Sequence, residues 1–590
     1  MALTRGLNDS EIASLLQSVL EDSNSSENVS ESENELLEDD IQSDVEDESL
    51  DGNESGENIA SVQDPNQEFT THSDSRIITV ALPTLRSKSK HCWTTSKGNS
   101  STRTSLINIV RTARGPTREC KSLYEPILCF KVFFTDEIIS EIVQWTNAEI
   151  YLNRRIDNAS ATFRDTCADE IRAVLGILTL TAALNNNHLS TDDLFNNTYC
   201  GTLYTATMSR DRFDFLIRCL RMDDKALRPA LRPTDAFAPV RKIWDIFIRQ
   251  CNTSYIPGSH VTIDEQLLGF RGRCPFKIYI PNKPNKYGIK IPMICDSTTK
   301  YMFNAIPYLG KTTNTAGLPL GEFYVKELSR PIHGTYRNIT CDNWFTSIPL
   351  AKGLLNEPYK LTLVGTIRSN KREIPEEMKN TRARKVGTTM FCYDGPLTLL
   401  SYKPKPSKMV YLLSSCNEKG TIDDKTGKPD IILYYNETKG GVDTFDQMCS
   451  LMSCSRKTNR WPMAVFYGML NAAFINSYVI YAHNLISIKK KPLSRKEYMK
   501  VLSASLTNPW MEKRMEIPTL SKTLRNNIQN AVSDEVNNDG GSSGDHSVSK
   551  KRRYCGFCPS KIRRMSKMIC CKCDTPLCGD HKNLVCNCCI

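Results

Sequence analysis

The stretch HVTIDEQLLGF at 260–270 marks the start of a β-rich core. Two further runs of strand type follow it, YGIKIPMICDSTTKYMFNAIPYLG at 287–310 and RNITCDNWF at 337–345. Gly, Pro, Asn and Lys separate these runs, as is typical of turns. The adjoining NWFTSIPLAKGLL, at 343–355, has the pattern of a helix. These segments together predict a mixed α/β unit.

Acidic residues stand where these elements end or begin. Asp264 closes VTID, Asp342 closes NITCD, and Asp443 follows two glycines at the start of a predicted helix, with Asp446 three residues further on the same side. Carboxylates so placed can meet at one edge of a sheet and bind two divalent ions for phosphoryl transfer. An aspartate at a strand end is also explained as a cap or turn residue. Glu265 is predicted to face the opposite side of its strand.

The charge of the 590 residues is strongly asymmetric, although the net value is only +10. Residues 1–74 contain 21 acidic residues against one basic residue, Arg5, which leaves 75 basic and 45 acidic residues in the remainder. The acidic segment is predicted to be disordered because it has little apolar surface to bury. The basic remainder favours a polyanionic partner such as nucleic acid. No signal peptide or membrane span is predicted.

The C-terminus has the ligand spacing of a zinc domain. Nine of the 23 cysteines lie in the last 36 residues. The eight predicted ligands of two Zn²⁺ ions are Cys555, Cys558, Cys570, Cys573, Cys578, His581, Cys586 and Cys589. The preferred arrangement is an interleaved cross-brace, with sequential sites and a disulfide cluster as alternatives.

Three segments closely resemble those of piggyBac transposases, namely TIDEQLLGFRGRCPFKIYIPNKPNKYGIK, NITCDNWFTSIPLAKGLL and TKGGVDTFDQMCS. The resemblance extends from about residue 76 to the end. It implies an RNase H-like core in which Asp264, Asp342 and Asp443 are catalytic and bind Mg²⁺ or Mn²⁺, with Asp446 as an essential neighbour. It also implies excision of double-stranded DNA through hairpin ends and insertion at TTAA sites.

The predicted organisation combines the residue patterns with this resemblance. In chain order it comprises a disordered acidic tail and basic connector at 1–112, the first part of a helical dimerisation and DNA-binding domain at 113–259, the first part of the catalytic domain at 260–368, a β-rich insertion at 369–428, the last part of the catalytic domain at 429–452, the second part of the helical domain at 453–532, a flexible linker at 533–550 and the zinc domain at 551–590. DIILYYN, at 430–436, is predicted to be a strand.

Partners and location follow from basic clusters and from the resemblance. The predicted DNA contacts are Asn343, Ser347, Lys371, Arg372, Arg456, Lys457, Arg460, Lys561, Arg563 and Arg564. KKRR at 550–553 predicts recognition by a nuclear-import receptor and a nuclear location. A homodimer or larger assembly is expected because two DNA ends must be joined. The alternatives are a domesticated, catalytically silent DNA- or chromatin-binding relative, and an adaptor built around the zinc domain.

Overall fold

The computed structural model of the chain describes most of its predicted core and flanks. The described residues are 8–22, 69–70, 76–97, 109–154, 161–281, 283–310, 313–381, 384–416, 420–536, 553–554, 558 and 564–566. The strands are β1 (Phe69–Thr70), β2 (Ile77–Val80), β3 (Thr84–Arg86), β4 (Cys92–Thr94), β5 (Gly115–Pro116), β6 (Tyr255–Ile256), β7 (His260–Gly269), β8 (Ile278–Tyr279), β9 (Tyr287–Asp296), β10 (Met302–Ala305), β11 (Asn338–Cys341), β12 (Thr362–Thr366), β13 (Thr389–Asp394), β14 (Leu397–Lys405), β15 (Lys408–Ser414), β16 (Arg553–Tyr554) and β17 (Met565–Ser566). The α-helices are α1 (Asp9–Asp22), α2 (Pro126–Lys131), α3 (Asp136–Arg154), α4 (Ala168–Ala183), α5 (Thr191–Leu194), α6 (Asn197–Cys200), α7 (Leu203–Thr207), α8 (Arg210–Cys219), α9 (Arg228–Leu231), α10 (Ala238–Ser254), α11 (Leu320–Leu328), α12 (Ile348–Leu355), α13 (Glu376–Lys379), α14 (Asp430–Lys439), α15 (Gly441–Leu451), α16 (Trp461–Ser487), α17 (Arg495–Met515) and α18 (Lys522–Val536).

The centre of the fold is a mixed sheet with three antiparallel strands followed by two parallel ones. β7 pairs antiparallel with β9, and β9 pairs antiparallel with β10. On its other side β7 pairs in parallel with β11, which pairs in parallel with β12. The order is therefore β10-β9-β7-β11-β12. Because β7, β11 and β12 are parallel, their C-terminal ends lie at the same edge of the sheet.

The β-rich segment predicted at 369–428 extends this central sheet. β15 pairs antiparallel with β12, and β14 and β13 follow it in order. β2 and β4 then pair with β13, so part of the predicted connector also belongs to the sheet. Trp93, in β4, is fully buried, and its indole Nε1 donates to the Glu373 carbonyl at 2.9 Å. The prediction of a simple basic connector at this position is wrong because its apolar residues have strand partners far away in the chain.

The prediction of disorder throughout the acidic tail is also wrong for residues 9–22, which form α1. Asn8 and Glu11 exchange hydrogen bonds between side chain and backbone, which caps the helix start. Leu16 and Leu20 are buried, and α1 packs against α16. A single apolar stripe is enough to fix this segment once a neighbouring helix covers it, and composition alone does not reveal that neighbour.

Helices that precede the sheet region in the chain pack against helices that follow it. α4 and α2, which precede it in the chain, pack against α17, and α2 also contacts α16. α16 is long and apolar enough to cross a membrane, but most of it is buried inside the fold, as in the core helix of a globular protein. The described residues up to Ile528 form one compact unit and those from Gln529 another. α18 ends at Val536, within the predicted linker.

The strand predicted for DIILYYN is wrong, since these residues begin α14. Pro429 precedes the helix with extended backbone, and Asp430 lies in its first turn. Ile431, Ile432 and Tyr435 are buried, at helical rather than alternating spacing. α14 continues almost directly into α15, which carries Asp443 and Asp446.

Candidate active site

One face of β7 is directed at α14 and α15. Thr262, Asp264 and Gln266 alternate along the strand and therefore share this face. The Thr262 hydroxyl donates to the Thr438 carbonyl of α14 at 2.7 Å. Further along, Gln266 Nε2 donates to Asp446 Oδ1 of α15 at 2.8 Å. Asp264 lies between these two anchor points and so faces the start of α15.

A close helix–strand approach explains Gly441, the second of the two glycines before Asp443. A Cβ on Gly441 would collide with Thr262 Oγ1 and would lie 2.8 Å from Thr262 Cβ. The backbone of Gly441 is helical, so the glycine is required for space rather than for a turn. Thr340 on β11 adds a 2.7 Å hydrogen bond to the Thr438 hydroxyl. Both aspartate-bearing strands are thus bonded to the same junction of α14 and α15.

Asp342 lies level with Asp264 on the neighbouring parallel strand. Thr340 pairs with Thr262 and Cys341 with Ile263, so the next residues along the two strands are the two aspartates. Adjacent strands are about 4.8 Å apart. Asp342 Oδ1 accepts from the Trp344 backbone N–H at 3.0 Å, and its carbonyl accepts from the Thr346 hydroxyl at 2.7 Å. These bonds fix the tight loop that leads into α12.

Asp443 and Asp446 lie on α15, three residues apart, as predicted. The side chain of Asp443 is 65% exposed, and its Oδ1 is 3.8 Å from Lys283 Nζ. Asp446 is half-buried and borders a cavity of about 270 Å³, which Gln266 and Lys283 also line. Lys283 was not among the residues predicted from sequence, although it lies in the quoted segment IPNKPNKYGIK.

Burial and mutual repulsion dominate the electrostatics of these acids. Burial raises the pKa of Asp264 well above its usual range, and the charges of Glu265, Asp443 and Asp342 raise it further. Burial also raises the pKa of Asp446, against the lowering effect of the Gln266 hydrogen bond. The strand pairing places Asp342 beside Asp264, and α15, which bears Asp443, packs against β7. Residues from three separate elements therefore converge in one acidic cluster.

Glu265 has a different environment from its neighbour Asp264. Its Oε2 is 3.8 Å from Lys290 Nζ, and that ammonium lies 4.0 Å from the centre of the Trp344 ring. The predicted alternation of the strand accounts for this separate ion pair. Glu265 still contributes charge to the cluster, because it raises the pKa of Asp264.

The donor chemistry of the cluster suits a hard divalent cation, which prefers carboxylate oxygens. Among the residues that the structure describes, no group of three acidic, histidine or cysteine side chains is arranged to chelate an ion as it stands. The cation now closest to Asp443 is the Lys283 ammonium.

A second feature is a cavity of about 830 Å³ with a strongly cationic wall. Its basic lining residues are Arg221, Arg228, Arg232, Arg273, Lys277 and Arg460. Asp235 is the acidic residue of the lining, and it pairs with Arg241. Within the described part of the chain, the guanidinium groups of Arg232 and Arg273 make no hydrogen bond or ion pair with the protein. Arg221 pairs with Glu149 and Arg228 with Asp223, so the unpaired positive charge of the wall comes from Arg232 and Arg273 as far as the described residues show.

The residues predicted to contact DNA differ in the exposure of their side chains. Arg372 and Lys457 are exposed, whereas Lys371 is half-buried. Arg456 donates to the Leu189 carbonyl at 2.9 Å, and Arg460 donates to the carbonyls of Ile217 and Arg218. These two guanidiniums therefore tie the 455–461 segment to the helices before the sheet.

Two residues beside Asp342 that were predicted to contact DNA have hydrogen-bond partners within the protein. Asn343 is 9% exposed, and its Oδ1 accepts from Arg368 Nε at 3.2 Å. Ser347 caps α12, because its hydroxyl accepts from the Leu350 backbone N–H.

Most of the predicted zinc domain lies outside the described residues. Of the eight predicted ligands, Cys558 alone is described, and it is half-exposed. Arg564 is described and exposed, whereas Lys561 and Arg563 are not described. Two Zn²⁺ ions in this segment remain a prediction.

Comparisons with known proteins place the chain in a family. The family described as Transposase IS4 matches residues 125–478. Human PiggyBac transposable element-derived protein 3 is 25% identical over 357 residues, which are 57% of this chain and 58% of that protein. The human chimeric ERCC6-PGBD3 protein has the same identity over 57% of this chain, but the match spans 32% of its own length.

A solved structure is much more similar. It is a cryo-EM structure of the piggyBac transposase synaptic complex with hairpin DNA, and its chain is 64% identical to this one. The two superpose with a TM-score of 0.70 over 81% of this chain and 100% of that chain. The chain therefore belongs to the piggyBac-type transposases.

Proposed function

We propose that the protein is a cut-and-paste DNA transposase that excises an element through hairpin ends and inserts it at TTAA sites. The observation that carries this proposal is the strand pairing that places Asp342 beside Asp264, together with the packing of α15, which bears Asp443, against β7. The 64% identical transposase, which was solved with hairpin DNA, supports the substrate class.

The sheet order supports an RNase H-like catalytic core. Three antiparallel strands followed by two parallel strands place the first and fourth strands of the core side by side. In this chain those strands are β7, which carries Asp264 near its middle and continues to Gly269, and β11, which ends one residue before Asp342. Their carboxylates and that of Asp443 would bind Mg²⁺ or Mn²⁺, which stabilises charge on the attacking and leaving oxygens of a phosphodiester.

Other side chains of the protein position the acidic residues and supply positive charge for the DNA phosphates. The threonine bonds at the junction of α14 and α15 keep Asp443 beside the two strands. Gln266 orients Asp446 at the edge of the cluster. Arg232 and Arg273 in the cationic cavity are suited to phosphate contacts that position DNA without reading its bases. A homodimer, the two zinc ions and a nuclear location belong to the same proposal.

The test is cleavage of a transposon end by the purified full-length protein in Mg²⁺. The wild type is expected to nick the end and form a hairpin, and Asp342→Asn to form none. Glu265→Gln is the matched control, because it also converts an acid into an amide beside the cluster. It should retain hairpin formation, since Glu265 pairs with Lys290 and contributes charge to the cluster rather than a metal ligand.

Two outcomes would contradict the proposal. Equal hairpin formation by wild type and Asp342→Asn would show that the active site lies elsewhere. Binding of transposon-end DNA without any cleavage by the wild type would instead favour a catalytically silent, domesticated DNA-binding protein. Deletion of residues 551–590 tests the adaptor alternative, since a nuclease should still cleave DNA without them.

A further inference from the structure

Lys283 occupies an unusual position for a lysine of a short surface loop. The loop connects β8 to β9, and a bond from the Ile280 N–H to the Lys286 carbonyl, 2.9 Å long, closes it. Two prolines, Pro281 and Pro284, stiffen it. The side chain of Lys283 is 28% exposed, and its ammonium is directed at Asp443 rather than at solvent.

The ammonium of Lys283 interacts electrostatically with several acids of the cluster and not with Asp443 alone. Burial by itself lowers the pKa of Lys283, but Asp264, Asp443, Glu265 and Asp446 together raise it above its usual value. In return, Lys283 lowers the pKa of both Asp264 and Asp446. The geometry agrees with this, since Lys283 lies 3.8 Å from Asp443 and lines the same cavity as Asp446 and Gln266.

We propose that Lys283 is a built-in counter-cation that competes with the divalent ions for the carboxylates. Its ammonium keeps the mutually repelling acids together in the metal-free protein, and it moves away from Asp443 when an ion binds. Its partial exposure gives it a direct route towards solvent. Lys283 is thus a positioning residue that sets the metal affinity, and this role rests on the metal-dependent function proposed above.

Electrostatics favour a lysine that competes with the divalent ion for the carboxylates over one that assists its binding. The ammonium of Lys283 and the carboxylate of Asp443 attract each other, although the 65% exposure of Asp443 weakens this attraction, and a divalent ion must overcome part of it. A divalent ion and an ammonium at the same carboxylate also repel each other. Removal of the lysine charge is therefore expected to tighten metal binding by at least about fivefold.

The experiment measures Mn²⁺ binding to the zinc-loaded full-length protein without DNA, from the loss of the free-ion signal in electron paramagnetic resonance. Lys283→Gln is expected to bind Mn²⁺ at a concentration at least about fivefold lower than the wild type. Lys286→Gln is the matched control, because it removes the same charge from the same loop at an exposed residue. It should bind Mn²⁺ like the wild type.

Lys283→Arg keeps the positive charge and should retain the weaker binding of the wild type. A second measurement is the rise in melting temperature on addition of Mn²⁺, which should be larger for Lys283→Gln than for the wild type. Unchanged or weaker Mn²⁺ binding by Lys283→Gln would overturn the inference. Equal tightening by Lys283→Gln and Lys286→Gln would overturn it as well, because the effect would then be one of general charge.

The same measurement separates this inference from the proposed function. Asp264→Asn with Asp342→Asn should abolish the Mn²⁺ binding that Lys283→Gln tightens. If the wild type and this double variant bind Mn²⁺ equally, the carboxylate site itself fails, and both proposals fall. If the double variant loses binding while Lys283→Gln does not change it, the role of Lys283 alone is wrong.

Discussion

Gln266 and Asp446 show how a neutral side chain controls an acid in this site. Gln266 is 5% exposed and donates to the Asp446 carboxylate at 2.8 Å. A hydrogen bond to the charged form of an acid favours that form. The hydrogen bond from Gln266 thereby opposes the effect of burial, which raises the pKa of Asp446.

Gln266→Met should move the acidic limb of the pH profile for hairpin formation to higher pH. The variant keeps the side-chain volume but removes the donor, so the pKa of Asp446 rises further and its ionised form requires a higher pH. The measurement is the rate of hairpin formation between pH 5 and pH 9. Gln447→Met, at the exposed neighbouring residue, is the control and should leave the profile unchanged. A shift to lower pH in Gln266→Met would contradict the assignment.

The crossing of α4 and α17 joins the two helical segments that flank the sheet region. Gly176 on α4 allows the close contact, since a Cβ there would lie 2.5 Å from Thr507 Cγ2 and 2.9 Å from the Ser503 carbonyl oxygen. The Ser503 hydroxyl donates to the Gly176 carbonyl at 2.7 Å. The glycine is therefore a packing requirement at an interface between distant segments.

Gly176→Ala should destabilise the protein, by about 1 to 3 kcal/mol, because the added methyl overpacks the crossing. Gly353→Ala on α12 is the matched control, since among the described residues nothing lies within 4 Å of its Cβ. Gly353→Ala should stabilise the protein by about 0.5 to 1 kcal/mol through its higher helix propensity. Melting temperatures check both signs. A rise in both variants would show that α4 and α17 do not pack this closely.

At the scale of the molecule, α16 connects the helical flank to the catalytic sheet. Asn476 is fully buried on this helix. Its Oδ1 accepts from the Met302 N–H of β10 at 3.0 Å, and its Nδ2 donates to the Met302 carbonyl at 2.7 Å. β10 is the edge strand of the sheet, so one side chain replaces the neighbouring strand at this residue.

Asn476→Leu should lower the melting temperature and leave two backbone groups of Met302 without partners. Each buried unsatisfied group costs about 1 to 3 kcal/mol. Ser477→Ala is the control, because the hydroxyl of Ser477 donates to Phe474 within the same helix. If the two variants melt at the same temperature, the link between α16 and the sheet is not important for stability.

The sequence by itself determined the family, the strands that carry Asp264 and Asp342, and the placement of Asp443 and Asp446 on one helix. These features depend on local patterns and on residue identities over short distances. The tertiary structure decided which distant groups meet: the junction at Thr438, the ammonium of Lys283, the docking of α1 on α16 and the extension of the core sheet through β15. The Thr262–Thr438 bond joins residues 176 positions apart. No periodicity in either segment specifies such a partner, because burial and pairing depend on the packing of the whole chain.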